Sequence, residues 1–198
     1  MLNVKSLALA AALGVSALGA NAATIINVGT SAGTGGPFVG TTGVLVDSDD
    51  AAYAGGEGFS NWVWDANGDN TVTYTVTFNL TSFQIASAVL SGLWGVDNIG
   101  TVLLNGVQIS ELTYGVGAFA SLTSYGSSND GEFMTGVNTL QFVALNDISD
   151  TNGGPGPVAF RATVNVSAIP VPAALPLLAG AVGLLGFGAA RRRNKAQN

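Results

Sequence analysis

The sequence predicts an all-β protein built as an antiparallel sandwich. Two long segments alternate strictly between apolar and polar residues, and an Asn-Gly pair sits between two short β-forming runs. No stretch between the two ends of the chain holds a convincing helical period. Over residues 71–80, Val72, Tyr74, Val76, Phe78 and Leu80 share one face, and Thr71, Thr73, Thr75, Thr77 and Asn79 share the other. Over residues 158–166, Val158, Phe160, Ala162, Val164 and Val166 point inward, with Arg161, Thr163 and Asn165 outward. Residues 101–104 and 107–110 flank Asn105-Gly106, whose two positions both tolerate positive φ, so they are expected to close a two-residue hairpin. Further strands are expected at 88–96, 138–145 and about Gly43-Val44-Leu45-Val46. Residues 29–43, 111–136 and 146–157 are rich in turn formers and read as irregular or loop segments.

Composition concentrates meaning at the ends. Hydrophobic residues make up 47% of the chain and charged residues only 9%, an imbalance produced largely by two apolar terminal stretches. Residues 1–22 combine Lys5, an apolar run over 7–18 too short for a stop-transfer helix, and the small residues Ala20 and Ala22 around an expected cleavage point. This reads as a signal peptide, with the mature chain starting at Ala23. The segment between the two ends holds all twelve acidic residues and one basic residue, Arg161, a formal charge of −11. Nucleic acid is excluded as a partner on that balance, because phosphate binding needs clustered cations. The chain has no cysteine and no histidine. Disulfide staples, imidazole metal ligands and every triad that uses histidine are therefore absent.

At the other end, Ile169-Pro170-Val171-Pro172-Ala173 precedes an uncharged stretch over 173–190, which is followed by Arg191-Arg192-Arg193 and Lys195. The prolines favour an extended segment that a protease cleft can accept. As a helix, 173–190 would span roughly 27 Å, close to a hydrocarbon core, and the arginines would stay on the cytoplasmic side. This order of elements resembles the PEP-CTERM sorting signal in its VPLPA-type variant, with Ile169 in place of Val and Val171 in place of Leu. The resemblance implies an exosortase as processing partner, an inner-membrane anchor before cleavage, and delivery to the cell surface or matrix of a Gram-negative bacterium. A plain transmembrane anchor without processing is the competing reading. The expected organisation is a signal peptide at 1–22, a sandwich domain at 23–167 and a sorting tail at 168–198.

A second resemblance covers about residues 57–167. The runs Thr73-Tyr-Thr-Val-Thr-Phe-Asn-Leu80, Leu90-Ser-Gly-Leu-Trp94-Gly-Val-Asp97-Asn98 and Gly136-Val-Asn-Thr-Leu-Gln-Phe-Val143 are similar to those of the galactose-binding-like jelly roll. That resemblance implies an accessory or carbohydrate-binding module, with extracellular polysaccharide as the partner.

Candidate site residues are few. Trp62 and Trp64 lie two apart, share a face in a strand, and would stack on sugar rings if exposed. Trp94 is expected in the core beside Leu90 and Val96. Tyr114 and Tyr125, in the long loop, are open to either a core or a ligand role. Asp65, Asn67 and Asp69 place oxygen ligands at alternate positions, as at the start of a calcium loop. The rest of an EF-hand pattern is missing, and a polar hairpin turn is the competing reading. Calcium is the one cofactor considered. Asp47, Asp49 and Asp50 read as a solvated loop, and Asp97-Asn98 as a turn. The carboxylate pairs Asp147/Asp150 and Asp65/Asp69 sit in turns without apolar surroundings, so no enzyme is expected. The expected function is a non-catalytic surface or matrix protein contacting extracellular polysaccharide. The alternative is an architectural component of the envelope or biofilm matrix with no specific glycan.

Overall fold

The alternating segments become strands of two antiparallel sheets. The computed structural model describes residues 21–31, 38, 43–45, 53–55, 60–67, 69–146 and 157–170. It separates into a unit from Ala22 to Pro170 and a second unit made of the residues on either side, of which only Asn21 is described. The first unit contains β1 (Ala23–Gly29), β2 (Gly43–Leu45), β3 (Val63–Asp65), β4 (Thr71–Leu80), β5 (Val89–Asp97), β6 (Ile99–Leu104), β7 (Val107–Leu112), β8 (Thr123–Ser127), β9 (Gly136–Leu145) and β10 (Ala159–Ala168). One sheet runs β2-β3-β10-β5-β8, with β1 also pairing β10, and the other runs β4-β9-β6-β7. Helix is confined, among the described residues, to the four-residue α1 (Gly117–Ala120) and two 3₁₀ turns.

The core lies between the sheets. Val72, Tyr74, Val76, Phe78 and Leu80 of β4 face Phe160, Ala162, Val164 and Val166 of β10, all buried as their alternation requires. Tyr74 stacks on Phe160 with ring centroids 4.3 Å apart, and Phe142 makes edge or tilted contacts with Trp94, Tyr125 and Phe160. Trp94, Leu90 and Val96 sit in this core as expected. Asn105 (φ 51°) and Gly106 (φ 85°) close the β6–β7 hairpin in the left-handed region. The Asn105 side chain reaches beyond its turn, donating to Glu132 O and Asn138 Oδ1 and accepting from Thr139 N–H.

Three segments differ from the sequence reading. Residues 23–29 pair antiparallel with β10, from Ala23↔Ala168 to Gly29↔Thr163, with a one-residue shift between Thr24 and Ile26. The expected loop over 111–136 contains β8, which completes the first sheet beside β5. The turn after Asp65 does not close a hairpin, because β3 and β4 belong to different sheets. In β8 the residues other than Tyr125 are polar or small, and the pairing partner β5, distant in sequence, supplies the preference that local composition lacks.

The registers give the sandwich two ends. The lower end gathers residues 81–88, the Asn105-Gly106 turn, residues 128–135, and the chain at both Ala22 and Ile169. The upper end carries the turns after Asp65 and Asp97 and the β9 terminus. Ala20, Val171, Pro172, Ala173, the stretch 173–190 and Arg191, Arg192 and Arg193 lie outside the described residues, as do Asp47, Asp49, Asp50, Asp147 and Asp150. Among the described residues no helix is long and apolar enough to cross a membrane.

Candidate functional site

The face of the first sheet turned away from the core is divided into a covered upper half and an open lower half. Ala159, Arg161, Thr163, Asn165 and Ser167 of β10 alternate onto this face, opposite Asp97, Gly95, Leu93, Ser91 and Val89 of β5. Over the upper half lie Tyr53, Trp62, Phe119 and Leu122, packed with Ala159 as a second apolar cluster. Gly95 makes this possible, since a Cβ there would stand 2.8 Å from the Trp62 ring and 3.0 Å from Ala118 O. Trp62 Nε1 donates to Ala54 O at 3.0 Å, and the Tyr53 and Trp62 rings lie 5.0 Å apart.

Two charged residues are enclosed under this cover. Arg161, 1% exposed, donates from Nε to Ser60 Oγ at 2.8 Å and from Nη1 to Gly55 O at 2.8 Å and Ala54 O at 3.2 Å. Asp97 accepts from the Tyr53 hydroxyl at 3.0 Å and from the Asn98 side chain. The guanidinium thus fixes the covering segment to β10 through its carbonyls. Arg161 faces away from the core as its alternation predicted, yet it is buried rather than solvated.

Below the cover is an open groove of about 440 Å³. Asn27 of β1, Asn165 of β10 and Ser91 of β5 stand directly opposite one another across three strands, with Thr163, Leu93 and Leu122 above them. The groove sits over an interruption in the ladder. Pairing of β10 with β5 runs from Ala159↔Asp97 to Ala162↔Trp94 and resumes at Asn165↔Ser91. Between these points side chains replace backbone partners: Leu93 N–H donates to Thr163 Oγ1 at 3.0 Å, and the Tyr125 hydroxyl donates to Thr163 O at 2.8 Å. Gly92 leaves room for that hydroxyl, which would lie 2.7 Å from a Cβ at this position. The groove lining carries no ionisable side chain. It offers two amides and two hydroxyls, each able to donate and accept, beside two leucines.

This arrangement corrects the expected aromatic platform. Trp62 and Trp64 are 2% and 3% exposed, so neither presents a ring face to a ligand. They also fall into different clusters, Trp62 with the cover and Trp64 with the main core, where its Nε1 donates to Asp69 O at 3.0 Å. Tyr125 is a core residue whose burial pushes its phenol well above the ordinary value near 10. Tyr114 alone of the four is exposed, near α1 and away from the groove lining. Asn27, Ser91, Thr163 and Asn165 were not singled out in the sequence as a site. Only the outward phase of 163 and 165 pointed to them.

The residues considered for calcium lie in and beside the turn that follows β3. Asp65 is buried, and its Oδ2 accepts from Asn67 N–H at 3.0 Å, while Asn67 and Asp69 are exposed. Burial first, and the negative charge of Asp65 second, push the Tyr74 phenol up. Among the described residues, no three acidic, histidine or cysteine side chains gather as a metal-binding group.

No protein-family profile matches the sequence, and no curated protein matches it either. Among solved structures the fold is similar to that of a family 35 carbohydrate-binding module from an environmental isolate. That likeness is at 13% identity and TM-score 0.41, covering 74% of this chain and 99% of the other. It is also similar to part of an uncultured Clostridium sp. beta-glucuronidase, at 11% identity and TM-score 0.37, covering 76% of this chain and 29% of the enzyme. Neither likeness bears on which ligand this chain takes.

Proposed function

We propose that this chain is an exported, non-catalytic surface protein whose sandwich, of galactose-binding-like jelly-roll type, contacts extracellular polysaccharide through the groove beside Asn165. The observation that carries this reading is the row Asn27, Asn165 and Ser91, three uncharged donor-acceptor side chains across adjacent strands at the edge of an apolar patch. Sugar hydroxyls both donate and accept, and C–H faces pack on aliphatic carbon, so this lining suits a neutral glycan. The domain's large negative charge works against anionic polymers. In affinity electrophoresis, neutral polysaccharides embedded in the gel are expected to retard the folded domain. Unchanged mobility in all of them would remove the glycan reading.

The second reading is an architectural matrix component without a specific glycan. Burial of Trp62, Trp64 and Tyr125 favours it, because it removes three of the four aromatic side chains offered for sugar stacking. Retardation by one polymer, abolished by Asn165→Ala, separates the two.

Delivery belongs to the same proposal. The signal peptide ending at Ala22 starts export, residues 173–190 hold the chain in the inner membrane, and an exosortase cuts at the Ile169-to-Ala173 segment to release it to the surface or matrix. Intact mass of the protein recovered from cells and medium tests this. A chain still ending at Asn198 would leave a simple anchor.

A further inference from the structure

The lower end of the sandwich is where exposed apolar side chains collect. Of the ten large ones exposed among the described residues, six lie there: Phe83 (72%), Val137 (57%), Met134 (49%), Val107 (46%), Val89 and Ile169. They come from five separate segments. Phe83 precedes the 3₁₀ turn Ile85–Ser87, Met134 and Val137 flank the start of β9, and Val107 follows the Asn105-Gly106 turn. Val89 opens β5, opposite Ser167, and Ile169 follows β10 with its N–H bonded to Ser87 Oγ at 3.0 Å. Side-chain and backbone bonds brace these loops: Asn138 is fully buried and holds Met134 through both its amide atoms, and Gln84 accepts from Thr81. Apolar tips are therefore presented on fixed loops.

The chain also leaves the domain at this end. Only two residues, Val171 and Pro172, separate Pro170 from the uncharged stretch beginning at Ala173, a reach of roughly 11 Å over three residue steps at full extension. We propose that the lower end is a bilayer-docking face: while the tail is anchored, Phe83, Met134 and Val137 enter the lipid interface and hold the sandwich upright on the membrane. This rests on the anchor reading of the tail. The contact is apolar rather than electrostatic, since Arg161 is the only basic residue between the two ends and the lower loops carry Asp130 and Glu132. It therefore works on neutral lipid.

The absence of native cysteine allows a direct test. The full chain is reconstituted in phosphatidylcholine vesicles with a single nitroxide at Ser82→Cys or Thr135→Cys at the lower end, Asn70→Cys at the upper end, or Gly183→Cys in the tail. The expected result is a several-fold lower collision rate with a water-soluble nickel chelate at 82 and 135 than at 70. Replacing Phe83, Met134 and Val137 together by serine should abolish that difference. Equal nickel access at 82, 135 and 70, with the label at 183 shielded, overturns docking and leaves the anchor standing. Nickel access at 183 overturns the anchor and the docking face together.

Discussion

Replacing Arg161 by alanine should release the segment that covers the upper half of the outer face. Among the described residues the guanidinium makes three hydrogen bonds of 2.8–3.2 Å, to Ser60 Oγ, Gly55 O and Ala54 O, at a site 1% exposed. Charge-assisted bonds of this kind contribute about 1.5–3 kcal/mol each. The three share one donor group and the freed carbonyls regain water in part, so their sum overstates the loss, and about 4 kcal/mol is expected. For a domain of this size that corresponds to a fall in Tm of roughly 8–16 °C. Thermal melts followed by circular dichroism measure it. Tryptophan emission should shift to the red as Trp62, whose Nε1 bonds the same Ala54 carbonyl, gains water. Arg161→Lys should recover only part of the stability, since an ammonium cannot reproduce the planar fork. A Tm within about 2 °C of the parent, with unshifted emission, would refute the idea that Arg161 holds the cover.

Gly92→Ala should destabilise the domain by about 3 kcal/mol, because its Cβ would lie 2.0 Å from Thr163 O and 2.6 Å from the Tyr125 ring; a denaturant midpoint matching the parent would contradict this. Stability should fall above about pH 10, the ordinary phenol value, because Tyr74 and Tyr125 titrate higher in the fold than in the unfolded chain. Their contribution is complete below the unfolded value. Above it the unfolded state releases protons that the native state keeps, so each tyrosine removes about 1.4 kcal/mol per pH unit until its folded value is reached. Urea titrations at pH 9 and pH 11 read the difference, and equal stability at the two would count against it. The calcium reading of Asp65, Asn67 and Asp69 predicts a higher Tm with the ion through native-state binding; identical melts in millimolar calcium and in chelator would dismiss it.

What the sequence made legible was set by local pattern. β4 coincides with the alternating run at 71–80, and the Asn105-Gly106 hairpin appears as its two positive φ values require. β9 and β10 lie within two residues of their expected bounds, because alternation over eight or more residues fixes a face. β8, Thr-Ser-Tyr-Gly-Ser, has no such pattern and exists because β5 supplies its ladder. The tryptophans were misplaced for a related reason. Periodicity assigns a residue to one face or the other, but whether an outer face meets water depends on which distant segment lies over it. Residues 53–55 and 60–62 cover that face above Gly95, so Trp62 is enclosed there. The groove was hidden for the opposite reason, since Asn27, Ser91 and Asn165 become neighbours only through the β1–β10–β5 registers.

Calorimetric titration of neutral oligosaccharides into the parent and the Asn165→Ala domain tests most directly whether this groove takes a neutral glycan. Asn165 is half-buried and makes no contribution to the core clusters, so the variant should keep its fold and its melting temperature. Binding to the parent that weakens at least about tenfold in Asn165→Ala, a loss of about 1.4 kcal/mol, is the predicted result. Equal affinity in the two proteins, or no heat with any neutral glycan, would contradict it.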